Sequence, residues 1–293
     1  MTEAKQTWAA ILHDLGINKG DAVYLAIDMG HVPLPSISAP LSKAALRDRE
    51  KRWCEFILDV LLEAVGSEGT ILAPTFSYDY ARNGAPYYHE TSASEIGPFT
   101  EYFRQLDESI RSFHPLYSVS GIGPRAAGIL EDIGRSAFGI RSPFAKFPGQ
   151  GVKFLFLGTP LGDCLTYAHH VEQLYGVNHM FNRAYNTPVF KGGVQHQGPW
   201  MAAVRYLGVG ITAAVGNLEQ ALIKDGSLRI CANFPSPMQC AHVSDVDRVL
   251  SNLLDHDPCA LLEEPVEVHI QSPGSAEQPL VRKSIFFDLR AAE

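Results

Sequence analysis

The sequence predicts an α/β layered fold with a largely parallel or mixed sheet. Three observations carry that expectation. Apolar runs of strand length alternate with stretches of helical spacing through most of the chain. Glycines close several of the helical stretches. The balance is that of a globular protein, with 293 residues, 46% hydrophobic and 19% charged. That length suits one large domain or two modest ones.

The elements follow in order. Residues 5–16 read as an amphipathic helix ending at Gly16, and Lys19-Gly20-Asp21 turns into the apolar strand Ala22–Ile27. The Pro- and Ser-rich segment 33–42 reads as a loop. Over 43–65, Trp53, Phe56, Ile57, Val60, Leu61 and Ala64 recur at helical spacing before Gly66. Thr70–Thr75 is a second buried strand, and 77–98 a polar loop rich in aromatics. A helix over Glu101–Leu106, a strand over Leu116–Ile122 and a helix over Arg125–Ile133 come next. Val152–Leu157 is a strand ended by Gly158, and Asp163–Tyr175 reads as one helix. The segment 185–208, rich in Thr, Val, Gly and Trp, suits a hairpin. Amphipathic helices are expected over Asn217–Ile223 and Val246–Leu254, then strands over Val266–Ile270 and Ser284–Asp288. No internal repeat, low-complexity tract or interdomain linker interrupts this pattern.

Composition excludes several function classes. The net charge is −8 and the basic residues are scattered, which argues against a nucleic-acid partner. The N-terminus lacks an apolar signal-peptide core. No stretch approaches the roughly 18 unbroken apolar residues of a membrane span. The five cysteines are widely spaced with no CxxC pair, so a disulfide framework and a cysteine zinc site are not expected. A reducing cytoplasm is the expected setting.

Three motifs invite chemistry. Gly121-Ile-Gly123-Pro-Arg-Ala126 fits the dinucleotide pattern GxGxxA, yet no acidic residue closes a second strand about 20 residues on. A tight strand-to-helix turn is the plainer reading. His169, His170, Glu172 and His179, near Cys164, suggest a metal, but HxxxH and HExxH spacings are absent. Adjacent helical residues also point about 100° apart, so His169 and His170 do not share an ion easily. His169 and Glu172, at i and i+3, instead suit an acid–base pair, with a plain helix salt bridge as the alternative. Arg111-Ser-Phe-His114-Pro-Leu-Tyr-Ser118 gathers a cation, hydroxyls and an imidazole that could hold phosphate or amide oxygens, or form a polar loop. There is no GxSxG elbow and no Walker loop.

Five blocks in order resemble the aminoglycoside 3-N-acetyltransferase family, the antibiotic N-acetyltransferases. They are Leu15–Asp21, Gly69–Phe76, Arg111–Val119, Gly139–Phe144 and Thr166–Glu172. The resemblance implies one three-layer α/β/α domain over residues 1–293 with a mixed central sheet. Residues 1–180 carry the motifs and 181–293 complete the fold. It implies acetyl transfer from acetyl-CoA to a primary amine of an aminoglycoside or amino sugar, with no metal. His169 matches the family's catalytic histidine and Glu172 its carboxylate partner. Pro74, Ser112, His114, Pro115, Ser118, Ser142 and Phe144 fall at positions bordering the CoA channel. Arg111, Lys146 or Arg141 would meet the negative charges of CoA. Thr75, at a strand end, is the candidate oxyanion donor. Direct transfer is expected, with an acyl-enzyme on Cys164 as the lesser route.

The chain departs from the family after its first strand. A His-Ser-Ser-like run is replaced by Ala26-Ile-Asp28-Met-Gly30, so Asp28 faces the amine substrate or caps a turn. In the loop that follows the second strand, Tyr78 and Asp79 are the substrate candidates, with Tyr80, Tyr87, Tyr88 and Glu95 around them. An aminoglycoside needs many carboxylates, and 165–185 supplies Glu172 alone. A biosynthetic acceptor, or a non-catalytic relative binding CoA or a sugar, is therefore the rival reading. The resemblance admits a homodimer, and the sequence does not fix the oligomeric state.

Overall fold

The structure, a computed structural model, describes residues 2–35, 42–206, 211–232 and 238–265. The strands expected over Val266–Ile270 and Ser284–Asp288, and residues 36–41 of the expected loop, lie outside the described residues.

Helix α1 (Thr2–Asp14) leads to strand β1 (Ala22–Ile27) and a 3-10 turn, Met29–His31, capped by Asp28. Helix α2 (Lys43–Val65) starts at an N-cap on Ser42 and ends at Gly66. Strand β2 (Thr70–Pro74) follows. Three short elements, α3 (Asp79–Arg82), β3 (Tyr87–Tyr88) and α4 (Pro98–Arg104), precede the strands β4 (Ile110–Arg111) and β5 (Val119–Ile122). Helices α5 (Ala126–Leu130) and α6 (Pro143–Gln150) lead into β6 (Lys153–Leu157), then α7 (Leu161–Cys164) and α8 (Ala168–Tyr175). Strands β7 (Met180–Tyr185), β8 (Val189–Lys191), β9 (Val194–His196) and β10 (Trp200–Arg205) form two small sheets. Helix α9 (Gly216–Asp225), β11 (Leu228–Cys231), β12 (Met238–His242) and α10 (Val243–His256) complete the described chain.

The central sheet has seven strands in the order β11-β12-β6-β1-β2-β5-β4. β6, β1 and β2 run parallel, and the strands outside them pair antiparallel, so the sheet is mixed. Strand alternation explains the layers. Val23, Leu25, Leu155 and Leu157 pack on α1 and α2, while Tyr24, Ala26, Phe154 and Phe156 pack on the opposite core with α6, α8 and α10. The sheet is covered on both faces, as expected for a three-layer α/β/α fold.

The elements depart from the sequence reading in several places. The helix expected over Asp163–Tyr175 is two helices, because the chain leaves the helical region at Leu165 (φ −75°, ψ 81°). The segment 77–98 carries α3 and β3, and most of its tyrosines are scaffold: Tyr80 and Tyr87 are buried and Tyr88 stacks on Phe190. Helix α6, where the sequence reading placed no element, contains Pro143, Pro148 and Gly149. It forms because Ser142 caps it and Pro143 occupies its first turn, where proline lacks no needed donor. Strand β12, Met-Gln-Cys-Ala-His, has no β-branched residue and is held by its pairing with β6.

Candidate active site

A cavity of about 440 Å³ opens at the carboxyl ends of the three parallel strands. Asp28 follows β1, Pro74 ends β2 and Thr159 follows β6, and all three line it. A crevice at this end of a parallel sheet is the place where α/β folds bind ligands. Gly158 makes the approach of two of these ends possible. Its φ is +71°, and a Cβ there would stand 2.5 Å from the Asp28 carbonyl oxygen.

Helix α8 delivers the titratable group. It is anchored on either side of His169. The Tyr167 hydroxyl donates to Asp247 Oδ1 on α10 at 2.6 Å. His170 Nδ1 donates to the Phe138 carbonyl at 2.6 Å, and burial holds its pKa down. His170 is thus turned away from the cavity, and His169 lines it. The angular step between neighbouring helical residues produces that division.

Behind His169 lies a hydrogen-bonded chain of three side chains. His169 Nδ1 donates to Glu172 Oε2 at 2.8 Å, and His179 Nε2 donates to Glu172 Oε1 at 3.0 Å. Glu172 and His179 are fully buried. Burial alone would push the Glu172 carboxyl up, but the hydrogen bonds from the two imidazoles, helped by the charges of His169 and Arg205, outweigh it and hold the group at about 2. Glu172 is therefore ionised and acceptor-only, which fixes the His169 tautomer with its proton on Nδ1. Nε2, on the far side of the ring, makes no hydrogen bond among the described residues. The ring stands edge-on to Phe138 at 5.5 Å between centroids.

The sequence candidates separate into wall and scaffold. Pro74, Asp28, Tyr78 and His169 line the cavity. Asp28 is committed locally: Oδ1 accepts from Gly30 N at 2.9 Å and Oδ2 from His31 Nδ1 at 2.8 Å, and His31 holds its carboxyl below the usual range. Burial pushes the Tyr78 hydroxyl up to about 12, so it stays a neutral phenol. Asp79 is exposed and off the cavity wall; its amide donates to Glu95 and its carboxylate accepts from Asn83.

Thr75 does not serve as the oxyanion donor expected of it. It is fully buried, and its hydroxyl sits among Ser118 O, Ser118 Oγ and Ser120 Oγ at 3.1–3.3 Å. The sequence marks the strand end correctly, but the residue points into the protein. Arg111 is likewise a scaffold cation. Its guanidinium donates to Ser118 Oγ, the carbonyls of His89, Ser92 and Thr75, and Ser77 Oγ, all within 2.6–3.3 Å. It pins the segment after β2 and has no donor left for a CoA phosphate. Ser112 Oγ accepts from Val119 N at 2.8 Å. His114 Nδ1 accepts from Leu116 N and Tyr117 N, and burial pushes its pKa down to about 4. Pro115, Ser118 and Phe144 are buried, and Ser142 caps α6. Lys146 Nζ closes the end of α5 through Gly128 O and Glu131 O at 3.0 and 2.7 Å, and Arg141 pairs with Asp132 at 2.7 Å. These residues shape the wall at a distance and do not line the cavity.

Cys164 does line the cavity, but as a neutral thiol. Burial pushes its pKa up to about 12, and it donates to the Pro160 carbonyl at 3.2 Å. That state does not suit a nucleophile. The Gly121–Ala126 turn carries no dinucleotide unit, because β5 runs antiparallel to β2 and the motif requires a parallel crossover. Gly123 is needed for packing: a Cβ would stand 2.3 Å from the Gly69 carbonyl oxygen. Sequence reasoning missed Arg205 on the wall, and it gave Thr166, which opens the fifth block, no role of its own. Arg205 has no local pattern that marks it; it reaches the cavity only because β10 pairs with β7.

Comparison with known proteins agrees with this architecture. The family model described as aminoglycoside 3-N-acetyltransferase matches residues 46–239. The chain belongs to this family. Its members are acyltransferases, and the mixed seven-stranded sheet is the fold expected of them. Aminoglycoside N(3)-acetyltransferase III of Serratia marcescens is 29% identical over 199 residues, 61% of this chain and 68% of that protein. Aminoglycoside N(3)-acetyltransferase VIII of Streptomyces fradiae is 28% identical over 202 residues, 62% of this chain and 65% of that protein. The matched region thus spans about two thirds of these relatives' length. Among solved structures, AAC-VIa with bound sisomicin superposes at a TM-score of 0.71, 21% identity, covering 86% of this chain and 97% of that one. AAC-IIIb with bound CoASH gives 0.67, 21% identity, 86% and 96%. Among the described residues no helix is long and apolar enough to cross a membrane.

Proposed function

We propose that the protein transfers the acetyl group of acetyl-CoA to a primary amine, directly, with His169 as general base. The observation that carries this reading is the His169–Glu172–His179 chain, which ends on an imidazole lone pair at a cavity wall.

The chemistry follows from the tautomer. An amine attacks a thioester carbonyl only through its lone pair. As the C–N bond forms, His169 Nε2 takes the proton the amine must lose, and Glu172 stabilises the resulting imidazolium. The tetrahedral intermediate then breaks its C–S bond, and the imidazolium returns the proton to the leaving thiolate. Amide and free CoA are the products, and no acyl-enzyme intervenes. Thr166, on the wall beside His169, replaces Thr75 as the candidate hydroxyl for the developing oxyanion.

The test is release of CoA thiol from acetyl-CoA in the presence of an amine panel containing aminoglycosides, amino sugars and amino acids. Amine-dependent release supports the reading. Absence of release with every amine, together with absence of CoA binding by calorimetry, would overturn it.

A further inference from the structure

Among the described residues, Arg205 is the one Lys or Arg on the wall of the cavity that holds His169. It ends β10, paired with Met180 at the start of β7. Its neighbour Tyr206 donates its amide to the His179 carbonyl at 3.2 Å, which ties this strand end to the residue behind Glu172. Arg205 is partly buried, its Nε is buried with no hydrogen-bond partner, and it forms no ion pair among the described residues. Arg49 and Arg82 share the orphaned Nε, but they lie over the rings of Trp53 and Tyr78 and do not line this cavity. A buried guanidinium donor without an acceptor is costly, and a planar fork is built to receive a carboxylate or phosphate.

The negative side of the cavity is thin. Glu172 is sealed behind His169, and both Asp28 oxygens are occupied by Gly30 and His31. Among the described residues, Asp163 is the remaining carboxylate on the wall. An acceptor carrying several ammonium groups would face one available carboxylate and a cation that feels Glu172 only at a distance and forms no ion pair with it. Complementarity favours one amine and one acidic group instead.

Resting on the acetyl-transfer reading above, we propose that the acceptor is an amine that also bears a carboxylate or phosphate, and that Arg205 binds that acidic group. The amine then lies between Asp163 and His169, with the anion on the guanidinium.

The experiment uses matched acceptors on the full chain: an amino acid against its amide, and a phosphorylated amino sugar against the unphosphorylated one. The acidic member of one pair is expected to lead in kcat/KM by about 10- to 100-fold, the worth of a charged hydrogen-bonded contact. Which pair responds distinguishes carboxylate from phosphate. In Arg205→Gln the ratio should fall to near one, with KM for acetyl-CoA changed by less than about twofold. Arg205→Lys, which keeps the charge and loses the fork, should give an intermediate ratio. The proposal is overturned if neutral or polycationic acceptors match or exceed the acidic ones in the unaltered protein. It is equally overturned if Arg205→Gln raises KM for acetyl-CoA and leaves the acceptor ratio intact, since the cation would then serve CoA. Should no amine release CoA, the acetyl-transfer reading fails by itself. Calorimetric titration of the same acidic and neutral ligands then still decides whether Arg205 reads an anion.

Discussion

At the scale of single residues, the site is a hydrogen-bonded chain of three side chains with one end on the cavity. Glu172 accepts from two imidazoles, and only His169 reaches the cavity. Replacing His169 by Ala should lower kcat by about 10²–10⁴-fold while CoA affinity, read by calorimetry, is retained. Glu172→Gln should be worse than its size suggests. An amide cannot accept from both imidazoles, so one buried N–H is stranded, at a cost of about 3–5 kcal/mol in denaturant unfolding. The carboxyl also sets an acid limit. Its pKa lies below the ordinary 4.5, at about 2, so the unfolded chain binds the proton more readily than the folded one. Stability from this group is complete above about pH 4.5 and is lost as pH falls toward about 2. A scan of unfolding midpoints across that window should show a decline that Glu172→Gln lacks.

At the scale of elements, the site depends on strand ends meeting. The β6 end passes under the Asp28 carbonyl at Gly158, at positive φ and without room for a methyl group. Gly158→Ala should cost about 1–3 kcal/mol. It should also lower kcat/KM, because the Asp28 turn must move away from the cavity; an unchanged kcat/KM would show that turn to be uninvolved. Arg111 plays the corresponding part after β2. Its five hydrogen bonds make a fixed corner of this polar segment, beside which Tyr80 and Tyr87 pack inward. Helix α8 is fixed by its flanking residues, Tyr167 and His170, rather than by its eight-residue length.

At the scale of the whole molecule, one sheet is covered on two faces and bears its cavity where three parallel strands end. A ligand there touches the ends of β1, β2 and β6 together with α7 and β10, elements far apart in sequence. Binding should therefore stabilise the fold as a unit. CoA at about a hundred times its Kd adds roughly 2.7 kcal/mol, an increase in Tm of about 4 °C for a chain of this size. Differential scanning calorimetry with and without CoA checks this, and a Tm that does not move would place CoA elsewhere or nowhere.

The sequence by itself determined the layered α/β class, the bounds of β1 and α2, and the pairing of His169 with Glu172. These are set by local periodicity, by caps at Ser42 and Gly66, and by an i, i+3 spacing that any helix brings together. Five ordered blocks identified the family as well. What the sequence could not contain was direction. Thr75, Arg111, His114 and Ser118 belong to the matching blocks, yet they turn into the protein, because the antiparallel edge β4–β5 and the segment after β2 consume their hydrogen bonds. Only the tertiary structure brought His179 behind Glu172 and Arg205 onto the cavity wall. Both arrive through the β7–β10 pairing, a long-range contact with no local periodicity to announce it.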